Sequence, residues 1–143
     1  MFKSVLLPID LSQESSWKEA IPVAKNMAKD SGAKLHVLTV IPDYGMAVVG
    51  SFFPADYATN ALAETEKMLT EFLSKHFGGD VNVEGHVKHG TIYKEIIHSA
   101  DDLNCDLIVL ASHRPETKDY LLGPNAARVA RHAKQSVFVV RNK

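Results

Sequence analysis

The sequence predicts a single α/β domain in which a five-stranded parallel sheet carries helices on both faces, in a doubly wound arrangement. Several short segments are continuously apolar rather than alternating, as expected for strands that are buried on both faces. These segments alternate with segments whose apolar residues repeat at helical spacing, and the connections are long enough for parallel crossovers. The chain has 143 residues, 45% of them hydrophobic, which suits one domain spanning residues 1–143.

The first strand and the first helix are predicted from the beginning of the sequence. The apolar run at residues 5–7 indicates a buried strand. Ser12 is a residue type that caps helices, and the helix it would cap extends to about Asp30. Gly32 then ends this helix. Pro22 lies within it and predicts a kink near its second turn.

The middle of the chain predicts a second strand, a long irregular segment, a second helix and a third strand. The second strand is "KLHVLTVIP", and the irregular segment begins at Asp43. Segments of this kind are usually functional or mobile. Its apolar residues are suited either to a lid over a ligand or to contact with a partner chain: Met46, Val48, Val49, Phe52 and Phe53. The helix runs from about Tyr57 to His76, with Leu62, Met68, Leu69, Phe72 and Leu73 on its inner face. "VNVEGHVKHG" alternates strictly, which predicts a strand near the sheet edge.

The last third of the chain predicts two further helices and two further strands. A helix is expected from Thr91 to Asn104 and another from Asn125 to Lys134. The strand between them, "DLIVLAS", is the most apolar and is therefore expected to be the most central. The final strand is "SVFVVRN".

Composition excludes several classes of partner. Lys and Arg total 16 against 17 Asp and Glu, so the net charge is −1 and the chain has no basic field for nucleic acid or an anionic membrane. No apolar run approaches the roughly 20 residues that span a bilayer. The amino terminus lacks the pattern of a signal peptide, so we expect a cytoplasmic protein. The single cysteine, Cys105, is expected to be buried rather than reactive.

A ligand site is expected where the strand order reverses, outside the carboxyl ends of the strands. In a flavodoxin-like winding the first and fourth strands flank this point. An acid, an apolar backbone segment, a Ser-His-Arg turn and a helix start meet there, and these features match a nucleotide. The candidate residues are Pro8, Ile9, Asp10, Val40, Leu110, Ala111, Ser112, His113, Arg114, Gly123, Pro124 and Asn125. Spacing alone also allows Asp10 to be a capping residue.

Two segments resemble the universal stress protein family. They are "VLLPIDLS" near the amino terminus and "LIVLASHRPETKDYLLGPNAARVARHAKQSVFVV" near the carboxyl terminus. The nucleotide-binding branch of that family has a Gly, two residues, a second Gly, nine residues, and then Gly-Ser or Gly-Thr. Here Ala111 and Arg114 replace the first two glycines, the loop to Gly123 is one residue shorter, and Pro124 replaces the serine or threonine. The sequence thus resembles a sub-branch with an altered motif.

The resemblance implies an adenine-nucleotide site for ATP or a related nucleotide, with or without Mg²⁺. By position, Asp10 would contact the ribose and the Val40 backbone would contact the base. Ala111 and Arg114 would lie along the phosphates, with Gly123 and Asn125 at the helix start. Pro124 would remove one amide and one hydroxyl from the phosphate site, a loss of about tenfold to a hundredfold in affinity.

The family also implies a homodimer formed through the last strand, and a stress-response or signalling role with a partner that the sequence does not identify. The sequence shows no convincing general base and no carboxylate pair for magnesium. We therefore expect a binding module, with at most slow ATP hydrolysis or self-phosphorylation. One alternative is a nucleotide-independent, homodimeric interaction protein of the same fold. A flavodoxin-like or nucleotide-transferring enzyme is disfavoured, because no flavin loop or separate catalytic set is present.

The seven histidines do not predict a metal site. His86 and His89 lie three residues apart on one strand and therefore on opposite faces. His36, His76 and His98 are isolated in the sequence. Ser112 and His113 are adjacent and do not form the nucleophile–base pair that a hydrolase needs.

Overall fold

The computed structural model describes residues 1–42, 57–79, 81–112 and 124–141, and it contains one five-stranded sheet in which every pair of neighbouring strands is parallel. The strands are β1 (Ser4–Ile9), β2 (Lys34–Pro42), β3 (Val83–Gly90), β4 (Leu107–Ser112) and β5 (Ser136–Arg141). The helices are α1 (Ala20–Ser31), α2 (Tyr57–His76), α3 (Ile92–Asp102) and α4 (Ala126–His132), with a 3-10 helix at Glu14–Ser16. The expected fold class is confirmed. No helix in these ranges is long and apolar enough to cross a membrane.

The strand order is β3-β2-β1-β4-β5. It differs from the flavodoxin order, in which the third strand lies beside the first. The order reverses between β1 and β4, so the first and fourth strands flank the switch point as expected.

The degree of burial follows the apolar pattern of each strand. Val5, Leu6 and Leu7 in β1 are fully buried, and the β4 run 107–111 is buried throughout. At the edge, β3 is much less buried, since Gly90 alone of its eight residues is buried, and this agrees with the edge position that its sequence predicts. Burial of the two inner strands supplies much of the hydrophobic free energy that stabilises the domain.

The first helix begins later than the sequence predicts. Ser12 does not cap it, because the chain first forms the 3-10 helix and α1 starts at Ala20. Pro22 consequently lies in the first helical turn, where the missing amide proton would have had no partner in the helix. The expected kink is therefore wrong. Gly32 ends the helix as predicted, with a left-handed backbone (φ 65°).

Other helix boundaries differ by a few residues. Thr91 is the extended N-cap of α3 rather than its first residue, and α4 ends at His132 because Ala133 is extended. On α2 the prediction that Met68 faces inward is wrong, since 49% of its surface is exposed while its neighbour Leu69 is buried. Adjacent helical residues differ by about 100° in direction, so only one of these two faces the sheet.

Candidate functional site

The two strands at the switch point are held together at one end and not paired at the other. Registered pairing between β1 and β4 joins Val5 to Leu107 and Leu6 to Ile108 and goes no further along either strand. Pro8 has no amide proton with which to extend this ladder. The carboxyl ends of β1 and β4 are thus not paired with each other, and the crevice outside such strand ends is where ligands bind in doubly wound sheets.

At the amino ends of the same strands, Asp106 fixes their relative position. Its carboxylate accepts the backbone amide of Lys3 at 3.0 and 3.2 Å and that of Ser4 at 3.2 Å. Hydrogen bonds to a charged acceptor are stronger than those between neutral groups. These hydrogen bonds connect the amino ends of β1 and β4. The unpaired carboxyl ends of the two strands therefore lie at the predicted ligand position.

Asp10 follows β1 directly and shapes the turn beside the crevice. The amide and the hydroxyl of Ser12 both donate to Asp10 Oδ1, at 3.0 and 2.7 Å. This side-chain-to-backbone turn is a common role for aspartate. Asp10 thus has a structural role in this turn, but it caps neither helix, because the N-cap residues are Gln13 for the 3-10 helix and Glu19 for α1. Within the described part of the chain, Ser12 contacts Asp10 through Oδ1, which leaves Oδ2 as the oxygen to bind a ligand.

The buried hydroxyl of Ser16 stabilises this turn, and the sequence pattern did not predict that role. Ser16 is fully buried, and its Oγ accepts the Asp10 amide at 2.8 Å. The same hydroxyl lies 2.9 Å from the Asp10 carbonyl oxygen and 2.7 Å from that of Gln13, and its single proton serves one of them at a time. Ser16 therefore fixes the backbone on which the Asp10 carboxylate is carried.

Replacing Ser16 with alanine is expected to lower the free energy of unfolding by about 1–3 kcal/mol, because the amide of Asp10 would lose its buried partner. Urea denaturation measures this loss. Ser12→Ala is the matched control in the same turn, and it should stay within about 0.5 kcal/mol of the wild type because Ser12 is exposed. Equal losses in both variants would contradict the assigned role of Ser16.

The remaining predicted residues of β1, β2 and β4 are placed at the carboxyl edge. Ile9, Leu110 and Ala111 are buried, so they can offer a ligand little more than backbone. Val40 and Ser112 are partly exposed. A second polar contact that the sequence did not reveal is the buried Thr39 hydroxyl, which donates to the Ile9 carbonyl at 3.0 Å and joins β2 to β1. Pro8 is buried.

Pro124 and Asn125 immediately precede α4. Pro124 is exposed, whereas Asn125 is 9% exposed, has a helical backbone (φ −70°, ψ −39°) and makes no side-chain capping bond. The predicted site residues His113, Arg114 and Gly123 lie outside the described residues, as does the candidate lid at 43–56.

A groove of 680 Å³ lies elsewhere, between α2 and the edge strand β3. Leu69, Leu73 and Phe77 are among its lining residues, and none of the predicted nucleotide contacts that the structure describes lines it. Its walls come from the sheet edge farthest from β4 and β5. We therefore do not assign it to the nucleotide.

Two histidines that the sequence treats as separate are in contact. His36 Nδ1 lies 2.8 Å from His86 Nε2, and Glu84 is beside them. The expectation that His36 is isolated is wrong. Spacing along the sequence compares histidines within one strand, and it does not detect a neighbour on the adjacent parallel strand. The sequence does show one histidine in each of these two strands, but their contact can be predicted only when the register between β2 and β3 is known.

Comparison with known proteins identifies the family. The model of the "Universal stress protein family" matches residues 1–141. Universal stress protein G of Shigella flexneri is 33% identical over 146 residues, covering 99% of this chain and 100% of the relative. Universal stress protein A homolog 1 of Coxiella burnetii is 32% identical and covers 97% of this chain and 96% of the relative.

Solved structures show the same fold. The structure of hypothetical protein MJ0577 superposes with a TM-score of 0.73 at 26% identity, covering 100% of this chain and 98% of the other. A universal stress protein in complex with cAMP superposes with a TM-score of 0.62 at 23% identity, covering 99% and 98%. With the family model matching nearly its whole length, this chain belongs to the universal stress protein family.

Proposed function

We propose that this chain binds an adenine nucleotide, ATP or a close relative, in the crevice between β1 and β4 and acts as a signalling or stress-survival module in the cytoplasm. The observation that carries the proposal is the early end of the β1–β4 ladder, which lies at the switch point of the sheet, on the side where Asp10 follows β1. A structural neighbour of the same family is a complex with cAMP, an adenine nucleotide. Family membership and local geometry thus favour the same class of ligand.

The proposed site residues contact three parts of the nucleotide: the ribose, the base and the phosphates. The Asp10 carboxylate, with one oxygen held by Ser12, is suited to accept hydrogen bonds from ribose hydroxyls. The backbone of β2 at Val40 is suited to the base. Ala111, Arg114 and the segment that begins at Gly123 are assigned to the phosphates, where amides at a helix start favour negative charge.

The proposed module is a binder rather than an efficient catalyst. Asp10 is the one carboxylate among the assigned site residues, and Mg²⁺ commonly takes one or two carboxylates together with substrate phosphates. A Mg²⁺ ion would therefore be bound chiefly through the nucleotide. We expect at most slow ATP hydrolysis or self-phosphorylation.

Native mass spectrometry tests the proposal on the intact protein. We expect ATP or ADP to be retained after purification or after saturation with Mg-ATP, at one nucleotide per chain. Failure to bind any adenine nucleotide at millimolar concentration would contradict the proposal. Such a result would favour the alternative, a nucleotide-independent homodimeric interaction protein, which is supported by the exposed apolar side chains of Phe138 and Val139 on β5.

Replacing Asp10 with asparagine is expected to weaken ATP binding by about tenfold, since a hydrogen bond to a charged group is worth about 1.5–3 kcal/mol. Asparagine keeps the side-chain oxygen that holds Ser12, so the turn should survive. Isothermal titration calorimetry measures the change. Glu14→Gln removes an exposed carboxylate from the same segment and should leave the affinity unchanged. Equal effects of the two substitutions would indicate only a general loss of charge.

A further inference from the structure

Three side chains of the types that bind transition metals lie together on β2 and β3, away from the proposed nucleotide site. His36 is in β2, and Glu84 and His86 are two residues apart in β3. The register places the Cα of His36 opposite that of Glu84, so all three side chains project from one face of the sheet. His36 is in the amino-terminal half of β2, whereas the crevice is at the carboxyl ends. The cluster is thus separate from the crevice.

The distances within this cluster match those between ligands of one small cation. Two nitrogen or oxygen ligands of tetrahedral Zn²⁺ lie about 3.3 Å apart, given bond lengths of about 2.0–2.1 Å. The observed separations are 2.8 Å between His36 Nδ1 and His86 Nε2, and 3.8 Å between His86 Nε2 and Glu84 Oε1. All three ligand atoms lie within 4.8 Å of one another. Small side-chain rotations are enough to place them around a common ion.

The two rings share one proton where they meet. His36 Nδ1 and His86 Nε2 lie 2.8 Å apart, so one of these nitrogens donates a hydrogen bond and the other accepts it. The proton shared between the facing nitrogens would move to the other nitrogen of the same ring when an ion binds.

Lys34 and Lys88 both place positive charge near the cluster, and Lys34 is the one that pairs with Glu84. The Lys34 pair is short. The Lys34 Nζ lies 2.6 Å from Glu84 Oε2, which leaves Oε1 toward His86. Its positive charge repels an added ion, although both side chains of the pair are about half exposed and solvent screens their interaction. The Lys34 ion pair therefore weakens metal binding without blocking the ligand atoms.

Exposure differs across the cluster in a way that leaves room for a further ligand. His36 is 5% exposed and therefore fixed, whereas 50% of the Glu84 side chain is exposed to solvent. Water can reach an ion from the Glu84 side. Three protein ligands and one open position are typical of zinc sites that accept an exogenous ligand.

We propose that His36, Glu84 and His86 form a binding site for a divalent transition metal of the zinc class. Two imidazoles with one carboxylate suit Zn²⁺, Cu²⁺ or Ni²⁺ better than Mg²⁺ or Ca²⁺, which prefer oxygen ligands. A bound ion cross-links β2 to the edge strand β3.

The test is a titration of the full chain with Zn²⁺ in the absence of nucleotide, because nucleotide phosphates bind metals themselves. One Zn²⁺ per chain is expected, with a rise in the thermal unfolding temperature. Co²⁺ at the same site should give the intense visible absorption of a four-coordinate ion. His86→Gln should weaken Zn²⁺ binding by more than about a hundredfold, beyond the cost of losing a second-shell partner. Lys34→Gln should strengthen Zn²⁺ binding, because it removes a positive charge beside Glu84 and leaves all three proposed ligands in place.

Two control variants separate this site from casual surface binding. His89→Gln alters an exposed histidine on the opposite face of β3, and His98→Gln removes a histidine 3.7 Å from Glu95 on α3. Neither should affect Zn²⁺ affinity. The proposal is overturned if wild-type protein binds no Zn²⁺ at micromolar concentration, or if the His98 substitution abolishes binding while His86→Gln preserves it. These results do not depend on whether the crevice binds a nucleotide.

Discussion

Replacing Pro124 with serine is expected to tighten ATP binding by up to about a hundredfold. Serine restores a backbone amide and a hydroxyl at the proposed phosphate site, and each hydrogen bond to a charged group contributes about 1.5–3 kcal/mol. Pro124 is exposed and directly precedes the helical Asn125, so the substitution disturbs no buried packing. Serine is also well tolerated near helix starts.

The effect should depend on the number of phosphates. Restored donors would face the terminal phosphates, so AMP should gain much less affinity than ATP. Calorimetric titration of both proteins with both ligands measures the difference. Pro22→Ser is the matched control, because Pro22 is likewise an exposed proline near the start of a helix, in the first turn of α1. It should leave both affinities unchanged. Equal gains for ATP and AMP at Pro124→Ser, or no gain, would show that the segment is only a helix start.

The sequence predicts most of the fold because hydrophobic patterning carries direct information on burial. Continuous apolarity in β4 and alternation in β3 correctly separated an inner strand from an edge strand. The errors at Ser12 and Pro22 have one cause. Ser12 matches a helix cap, but its amide and hydroxyl are used by the neighbouring Asp10, and the helix starts eight residues later at Ala20. Local propensity cannot decide between such competing hydrogen bonds.

The candidate site was predictable only in part. Asp10 and the end of β4 could be found because strand ends are visible in the sequence and meet at one edge. Ser16 and Thr39 could not, since a buried hydroxyl is recognised by the backbone groups that surround it. The contact of His36 with His86 depends on strand register, which no single strand encodes.

Replacing Val139 with lysine is expected to dissociate a homodimer formed through β5, raising its dissociation constant by about a hundredfold or more. On this edge strand, 36% of Val139 and 43% of Phe138 are exposed, which is unusual for two adjacent large apolar side chains. A two-fold interface uses the same patch on both protomers, so one substitution introduces two charges. Burying an unpaired ammonium group costs several kcal/mol.

Sedimentation velocity at micromolar concentration measures the result. Wild-type protein should sediment at twice the 15.7 kDa chain mass and Val139→Lys at the chain mass. Met68→Lys is the matched control, because Met68 is exposed and apolar but lies on α2, which packs against the opposite edge of the sheet. It should remain dimeric. Phe138→Lys tests the other face of β5, since adjacent strand residues point in opposite directions. If only that variant dissociates, the interface uses the Phe138 face. A wild-type monomer would rule out the β5 dimer, and the exposed pair would then require a different partner.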